Sequence, residues 1–129
     1  MKGWILSLGL FSLLFASSCN DEPTDPPCGD SLSDFTGTWN MNDHCGGSDF
    51  QYPLSITENT SGGIMLTNLG GLGSVAQVNA SVSGGNFSFS QQVQSAIFTG
   101  NGSLNAGCAQ VVISWSGGPN GNCSGTGSK

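Results

Sequence analysis

The chain is short, acidic and nearly free of positive charge. Its 129 residues include eight Asp or Glu and two Lys or Arg, which gives a formal net charge of −6. This balance excludes binding to nucleic-acid phosphates and electrostatic adsorption to anionic lipid, because both require clustered basic side chains.

The N-terminus has the pattern of a secretory signal peptide. Lys2 precedes an apolar run from Trp4 to Ala16, and small residues follow in Ser17-Ser18-Cys19. A positive start, a short apolar stretch and small residues before a cleavage site are typical of exported proteins. The run is shorter than the roughly 20 apolar residues that span a bilayer. We therefore predict a signal peptide over residues 1–18.

Cys19 is the candidate lipidation site. Ala16-Ser17-Ser18-Cys19 resembles a lipobox, the motif in which the cysteine is acylated and becomes the first mature residue, although Ala16 stands where Leu is more common. Such looser motifs are found in Bacteroidota-type lipoproteins. The resemblance implies attachment to a membrane through a lipid on Cys19, and two or three acyl chains make such an anchor stable. The alternative is an ordinary secreted protein with one free thiol.

Residues 19–32 form an acidic, Pro-rich stretch that we interpret as a flexible tether. Asn20-Asp21-Glu22, directly after Cys19, resembles the surface-export signal of Bacteroidota lipoproteins. This implies the outer face of the outer membrane, with the periplasmic face as the alternative. Asp30-Ser31-Leu32 matches the Asp-Ser/Thr-apolar pattern of O-glycosylation in the same group, so Ser31 is a candidate modification site.

Residues 33–129 alternate apolar and polar side chains, as strands with one buried face do. Phe50, Tyr52, Leu54 and Ile56 show the pattern, and glycine-rich breaks between such runs supply hairpin turns. We predict an all-β antiparallel up-and-down barrel or sandwich of seven or eight strands. The predicted strands are 36–44, 50–58, 63–69, 74–83, 86–92, 96–105, 108–116 and 122–127. The last is the weakest, because it has little to bury; without it the fold is a seven-stranded open sandwich.

Four of the five cysteines remain once Cys19 is assigned to the lipid, which suits two disulfides in an exported protein. In an up-and-down meander, Cys45 and Cys123 lie at one end and Cys28 and Cys108 at the other. A disulfide needs Cα atoms within about 7 Å, so this topology favours Cys45–Cys123 and Cys28–Cys108. Neighbour pairing, Cys28–Cys45 with Cys108–Cys123, is the alternative.

Short motifs resemble lipocalin-like domains. Phe35-Thr36-Gly37-Thr38-Trp39 is similar to their opening strand with its Gly-x-Trp, and Gly100-Asn101-Gly102 matches the late Gly-x-Gly strand of a recurrent type of small Bacteroidota lipoprotein. The resemblance implies a β-meander. In lipocalins an arginine packs over the tryptophan, but this chain has no arginine. An eight-stranded barrel is also just wide enough for side chains to fill, so the likeness does not imply a lipid carrier.

Catalytic chemistry has little support in the sequence. The single histidine, His44, lies between Asp43 and Cys45 with Asp49 nearby, but a metal site needs three or four convergent ligands, and Cys45 is assigned to a disulfide. No Gly-x-Ser-x-Gly elbow is present. Nothing places two of Asp43, Asp49 and Glu58 inward on facing strands for glycoside hydrolysis. We therefore predict no enzyme activity, metal or cofactor.

Binding is the more open function. Trp39 and Trp115 fall on the apolar positions of their strands, which predicts core packing. An exposed indole ring would stack on a sugar, so both are candidate ligand contacts, and Trp115 is favoured because it precedes the loop of residues 117–121. The first hypothesis is a non-catalytic envelope module that binds a glycan, a small ligand or an envelope protein. The second is a structural surface lipoprotein with no small-molecule ligand.

Overall fold

Eight antiparallel strands close into one barrel in the computed structural model, which describes residues 28–129. The strands are β1 (Gly37–Cys45), β2 (Ser48–Glu58), β3 (Ile64–Thr67), β4 (Gln77–Ser83), β5 (Asn86–Val93), β6 (Ala96–Leu104), β7 (Gln110–Gly118) and β8 (Gly121–Ser128). Consecutive strands pair, and β8 pairs with β1 to complete the barrel. The all-β class and the up-and-down order are confirmed, and the seven-stranded open sandwich is excluded. The signal peptide, Cys19 and the first part of the tether lie outside the described residues.

Helical structure in the described range is limited to three short 3-10 turns, Leu32–Asp34, Leu69–Gly71 and Ala106–Cys108. Between residues 28 and 129, no helix has the length and apolarity needed to cross a membrane.

β3 and β4 are shorter than the sequence pattern predicts, because residues 68–76 leave the sheet. The backbone there enters the left-handed region at Asn68, with φ of 71°, and at Gly70, with φ of 68°. An extended strand cannot adopt these angles. The segment instead forms a cap over one end of the barrel.

The barrel interior is filled by alternate residues of its strands. In β1 the inward side chains are Trp39, Met41, Asp43 and Cys45, and their neighbours in the chain are exposed. Other large buried side chains are Leu54, Ile56, Ile64, Leu66, Phe87, Phe89, Phe98, Ile113 and Trp115. One charged side chain, Asp43, therefore lies within an otherwise apolar core.

Glycines of β6 make room for the rings of β5. Phe87 pairs with Gly102 and Phe89 with Gly100 across the two strands. A Cβ on Gly102 would overlap the Phe87 ring, and a Cβ on Gly100 would lie 2.6 Å from Phe89 Cζ. Both approaches are closer than carbon atoms tolerate. The Gly-x-Gly pattern of this strand is thus a packing requirement set by the strand before it.

Glycines of β8 serve β1 in the same way. A side chain at Gly125 would overlap Asp43, and one at Gly127 would overlap Met41. β8 pairs with β1 from Cys45–Cys123 to Asn40–Ser128 and also pairs with β7. The eighth strand is the weakest in the sequence pattern because it has few side chains to bury. Its glycines instead leave the space that the Asp43 and Met41 side chains of β1 occupy.

The strand connections divide between two ends of the barrel. The tether end contains residues 28–36, 59–63, 84–85 and 105–109. The mouth contains residues 46–47, 68–76, 94–95 and 119–120. The segment that continues from the predicted tether therefore enters the fold at the end opposite the mouth.

Aromatic side chains and a lysine close the tether end. Trp39 Nε1 donates a hydrogen bond to the Phe35 carbonyl at 2.8 Å, and the Phe35 ring meets Phe87 edge-on at 5.8 Å between centroids. Lys129 Nζ lies 4.6 Å from the Trp39 ring centroid and donates to the Asp34 carbonyl at 3.2 Å. Lys129 thus covers the Trp39 ring at the tether end.

The two disulfides are those favoured by strand order. Cys45 and Cys123 stand directly opposite each other on β1 and β8, with Cα atoms 4.3 Å apart. Cys28 and Cys108 join the start of the domain to the β6–β7 connection, with Cα atoms 5.4 Å apart. The pairing prediction is confirmed and the neighbour pairing is excluded. Bonds of this kind persist in oxidising compartments.

Loss of either disulfide should destabilise the barrel by a similar amount. The bonds join residues 80 and 78 positions apart, so each removes comparable chain entropy from the unfolded state. We expect Cys45→Ala/Cys123→Ala and Cys28→Ala/Cys108→Ala each to lower the free energy of unfolding by about 2–5 kcal/mol in urea titrations. Peptide mapping without reductant provides the control, and recovery of a Cys28–Cys45 peptide would contradict the assignment.

Candidate functional site

A fully buried carboxylate lies near the mouth of the barrel. Asp43 of β1 has no exposed surface. The Tyr52 hydroxyl donates a hydrogen bond to Asp43 Oδ2 at 2.7 Å, and Trp115 Nε1 donates to the same oxygen at 3.0 Å. Hydrogen bonds to an ionised acceptor are stronger than those between neutral groups. The Asp43 carboxylate therefore links β1 to β2 and β7 across the barrel interior near the mouth.

The second oxygen of Asp43, Oδ1, is buried and has no hydrogen-bond partner among the described residues. Gly125 lies against it. A buried polar atom without a partner costs about 1–3 kcal/mol. The stability of this arrangement consequently depends on the two hydrogen bonds that Oδ2 accepts.

The Tyr52 hydroxyl is held in its protonated form. Burial raises the pKa of Tyr52 well above its ordinary value, because the phenolate would be removed from water. The hydrogen bond to Asp43 and the negative charge of that carboxylate raise the pKa further, while the backbone of Gly70 opposes them. Tyr52 therefore remains a donor to Asp43 throughout the neutral pH range.

The cap formed by residues 68–76 lies directly on these rings. A Cβ on Gly70 would be 2.7 Å from the Trp115 ring, and a Cβ on Gly71 would be 3.3 Å from Tyr52 Cβ. Asn68 holds the cap in place, since its Nδ2 donates to the Pro53 carbonyl and its Oδ1 accepts from Gly73 N, both at 2.7 Å. Glycine is needed at Gly70 for both its positive φ and this close approach.

An apolar hollow of about 410 Å³ opens beside the cap. Its apolar side chains are those of Leu72, Val75, Ala76, Val93, Ala96, Phe98 and Pro119. Ala76 and Phe98 are buried and form its floor, whereas Val75 stands at the rim. Gln94 and Ser95 provide the polar side chains of the lining, and none of the lining residues is charged. The volume falls within the range of small-molecule sites, about 300–1,000 Å³.

The hollow lies where β4 and β5 separate. Their ladder consists of three residue pairs, from Ser83–Asn86 to Ser81–Ser88, although both strands continue beyond it toward the mouth. In place of a backbone partner, Asn79 N donates to Gln91 Oε1 at 2.7 Å. A side chain thus bridges strands that have moved apart, and the gap between them opens beside the hollow.

Exposed hydrophobic side chains gather around the same feature. Among residues 28–129, the large hydrophobic side chains that are exposed are Val75, at 58%, and Ile97, at 61%. Val75 lines the hollow, and Ile97 lies on the outer face between the lining residues Ala96 and Phe98. The mouth is therefore the apolar region of a surface otherwise rich in Ser, Asn and Gly.

The two tryptophans singled out from the sequence are both buried. Trp39 belongs to the closed tether end and Trp115 to the Asp43 network, so neither presents a ring face on which a sugar could stack. Trp115 nevertheless lies directly behind one wall of the hollow. A Cβ on Gly118, which lines the hollow, would be 2.8 Å from Trp115 Cζ3.

The acidic candidates and His44 do not converge. His44 and Asp49 form an exposed pair on the outer face, with Nδ1 and Oδ1 2.7 Å apart, and Glu58 is exposed as well. Asp43 points into the core, although we had considered it beside His44. In the described part of the chain, no three His, Cys, Asp or Glu side chains could hold a metal ion together. The alternation from Trp39 was the signal that could have placed Asp43 inside.

Ser31 is exposed at the tether end. Its Oγ accepts a hydrogen bond from Ser33 N at 3.4 Å and so caps the turn Leu32–Asp34. The hydroxyl lies within 2.8 Å of Ser33 Oγ. A modifying enzyme could therefore reach this residue without disturbing the core.

A shallower concavity of about 370 Å³ lies on the outer face of β4 to β7. Ser81, Ser88, Asn101 and Ser114 form a row across it at paired positions of the four strands. Small uncharged side chains in such a row solvate a strand face, and the Phe87 ring beneath them is buried. The mouth hollow, which has a buried apolar floor, is the better-formed candidate site.

Comparison with protein-family models, with curated proteins and with solved structures finds no match to this chain.

Substitutions of Asp43 should separate the contribution of its hydrogen bonds from that of its negative charge. Asp43→Ala leaves the Tyr52 hydroxyl and the Trp115 indole without an acceptor, so we expect a loss of about 2–5 kcal/mol in unfolding free energy. Asp43→Asn keeps an oxygen that can accept both bonds, and it removes a buried charge. We expect less than half of the alanine loss, measured by urea unfolding followed by tryptophan fluorescence. Equal losses would assign the role to the negative charge instead.

Alkaline pH should destabilise the fold through Tyr52, the single tyrosine of the chain. The unfolded chain releases the phenolic proton near pH 10, whereas the raised pKa keeps it bound in the barrel. Stability is therefore complete below about pH 10 and falls above it, by about 1.4 kcal/mol for each pH unit. Tyrosinate absorbance should appear only as the protein unfolds, and Tyr52→Phe should remove this part of the slope. Tyrosinate formation near pH 10 in folded protein would contradict the burial.

Proposed function

We propose that this protein is a lipid-anchored protein of the bacterial outer membrane whose barrel is a non-catalytic binding module. The proposal depends mainly on the position of the mouth hollow relative to the tether. Residues 28–36 lead into one end of the barrel, and the hollow lies at the other. A lipid on Cys19 would hold the barrel by its tether end and direct the hollow away from the membrane.

The attachment at Cys28 supports this arrangement. Its disulfide to Cys108 joins the start of the domain to the β6–β7 connection, and Gly29 packs against Gly85 of the β4–β5 turn. A force applied to the tether would be transmitted to the barrel through this disulfide. The barrel is thereby suited to attachment through its tether end. Its two disulfides are also typical of an exported protein.

Binding is favoured over catalysis by the lining of the hollow. General acid–base chemistry needs a titratable group within reach of the reacting atoms. The lining residues of the hollow are uncharged, and Asp43 is enclosed by Tyr52, Trp115 and Gly125. A site of this composition can hold a molecule but supplies no group to transform it.

A structural surface lipoprotein is the second candidate function. The buried positions of Trp39 and Trp115 favour it, because the large rings serve packing and not recognition. The outer row of Ser and Asn side chains is also compatible with a protein that only covers the cell. In either case, the resemblance of Asn20-Asp21-Glu22 to an export signal supports placement on the cell surface, with the periplasmic face as the alternative.

Removal of the lipidated cysteine should release the protein from the outer membrane. We expect the Cys19→Ala chain, expressed in its native host, to leave the outer-membrane fraction, in which the wild type stays. Mass spectrometry of the wild-type N-terminal peptide should show acyl chains on Cys19. A Cys19→Ala protein that still fractionates with the outer membrane would contradict lipid anchoring. Protease digestion of intact cells then separates the surface from the periplasmic face, since only a surface protein is cleaved without permeabilisation.

A further inference from the structure

We propose that the mouth hollow binds a compact, uncharged and mainly hydrocarbon molecule that carries one hydrogen-bonding group. This inference rests on the proposed binding function and assigns a ligand class to it. The carrying observation is a concave site with a buried floor and an apolar wall, set in a surface that is otherwise polar.

The lining selects against charge. Removing an ionised group from water is costly unless a partner of opposite charge replaces the lost hydration. The lining of the hollow contains no charged residue. In addition, the chain as a whole is acidic, which disfavours anions further. A neutral hydrocarbon gains from contact with Phe98 and Ala76 without this cost.

The polar side chains of the lining lie on one side of the hollow, at the β5–β6 hairpin. Gln94 and Ser95 form the tip of the β5–β6 hairpin, and Gln94 is held at a positive φ of 55°. Its carbonyl already accepts a hydrogen bond from Gln92 Nε2 at 3.2 Å. The Gln94 carboxamide and the Ser95 hydroxyl are therefore the side-chain groups that can bind a ligand hydroxyl, amide or ester. This supports a ligand with an apolar body and one neutral polar end.

The site fits a small molecule better than a protein. A specific protein interface buries about 800 Å² on each partner and contains several apolar anchors. Around the hollow, the exposed large hydrophobic side chains in the described range are Val75 and Ile97. The apolar lining of the hollow faces a space of about 410 Å³, which suits a molecule of limited size.

The opening between β4 and β5 provides the route of access. The cap covers the top of the barrel, but the two strands lose their ladder beyond Ser81 and Ser88. Val93 and Ala96 on one side of this gap, and Val75 on the other, form its apolar walls. The ligand would thus sit outside the filled core, beside both the cap and the gap.

Binding can be measured with matched neutral and charged probes. We would titrate phenylethanol against phenylacetate, and hexanol against hexanoate, into the fragment Asp21–Lys129 by calorimetry, with maltose and cellobiose as a sugar arm. This fragment contains the whole closed barrel and both disulfides. We expect each neutral probe to bind about tenfold or more tightly than its anion and to raise the melting temperature.

Two exposed aliphatic residues offer a matched pair of variants. Val75→Ser alters the rim of the hollow and should weaken the neutral probes about three- to tenfold. Ile97→Ser makes the same kind of change at a similarly exposed residue that does not line the hollow. The affinity of this variant for the neutral probes should therefore stay within about twofold of the wild-type value. Ala96→Phe should fill the hollow and abolish binding. If that variant does not fold, as judged by its melting transition, the Val75 and Ile97 pair still decides the question.

Four outcomes are distinguishable. The assignment is supported if the neutral probes bind more tightly than the anions and if Val75→Ser, but not Ile97→Ser, weakens their binding. Equal effects of both serine variants, or none, place the ligand elsewhere and overturn it while leaving a binding function in place. Binding of a sugar or of the anions overturns the ligand class only. If no probe binds and no partner is recovered from the native envelope, both the ligand class and the binding function fail, and the structural role is left.

Discussion

The interior of an eight-stranded barrel is just wide enough to be filled by side chains, and the rest of this structure depends on that limit. Strands that supply large side chains need neighbours that supply almost none. β5 places two phenylalanines inward, and β6 has glycine at both positions that pair with them. β8 does the same beside β1. Because the protein's own side chains occupy the interior, a bound molecule has its natural place at the mouth, where the regular packing ends.

Buried tyrosine and tryptophan fill volume well, but each carries a polar atom that needs a partner. At the tether end Trp39 uses the Phe35 carbonyl. At the mouth, Tyr52 and Trp115 share one oxygen of Asp43. A buried carboxylate is costly in isolation, yet here it satisfies two donors at once and connects three strands. Its unpaired oxygen follows from the same crowding, because Gly125 gives the carboxylate room without supplying a bond.

Much of the fold was predictable because its determinants are local. Alternation located the strands, and strand order favoured the observed disulfides Cys45–Cys123 and Cys28–Cys108. The site was harder to foresee. Asp43 was weighed with its neighbour His44 as a metal ligand, although strand parity sets them on opposite faces. The hollow depends on the left-handed backbone of residues 68–76 and on the point where β4 leaves β5. These features arise from contacts distant in sequence, which no local pattern encodes. The leader, Cys19 and the export signal lie outside residues 28–129 and stay predictions.

The two ends of the barrel are stabilised in different ways, and this difference bears on function. At the tether end, a disulfide, the packing of Phe35 on Phe87 and the lysine over Trp39 are added to a β4–β5 ladder that is paired from Ser81–Ser88 to Ser83–Asn86. At the mouth, the Cys45–Cys123 bond secures β1 to β8, but on the far side of the barrel β4 and β5 are bridged by the side chain of Gln91. Segments with fewer backbone bonds open at lower free energy, and ligand sites are commonly drawn from them. The end of the barrel where β4 and β5 have fewer backbone bonds is therefore the end with the apolar hollow, while the opposite end is the one that the proposed tether joins.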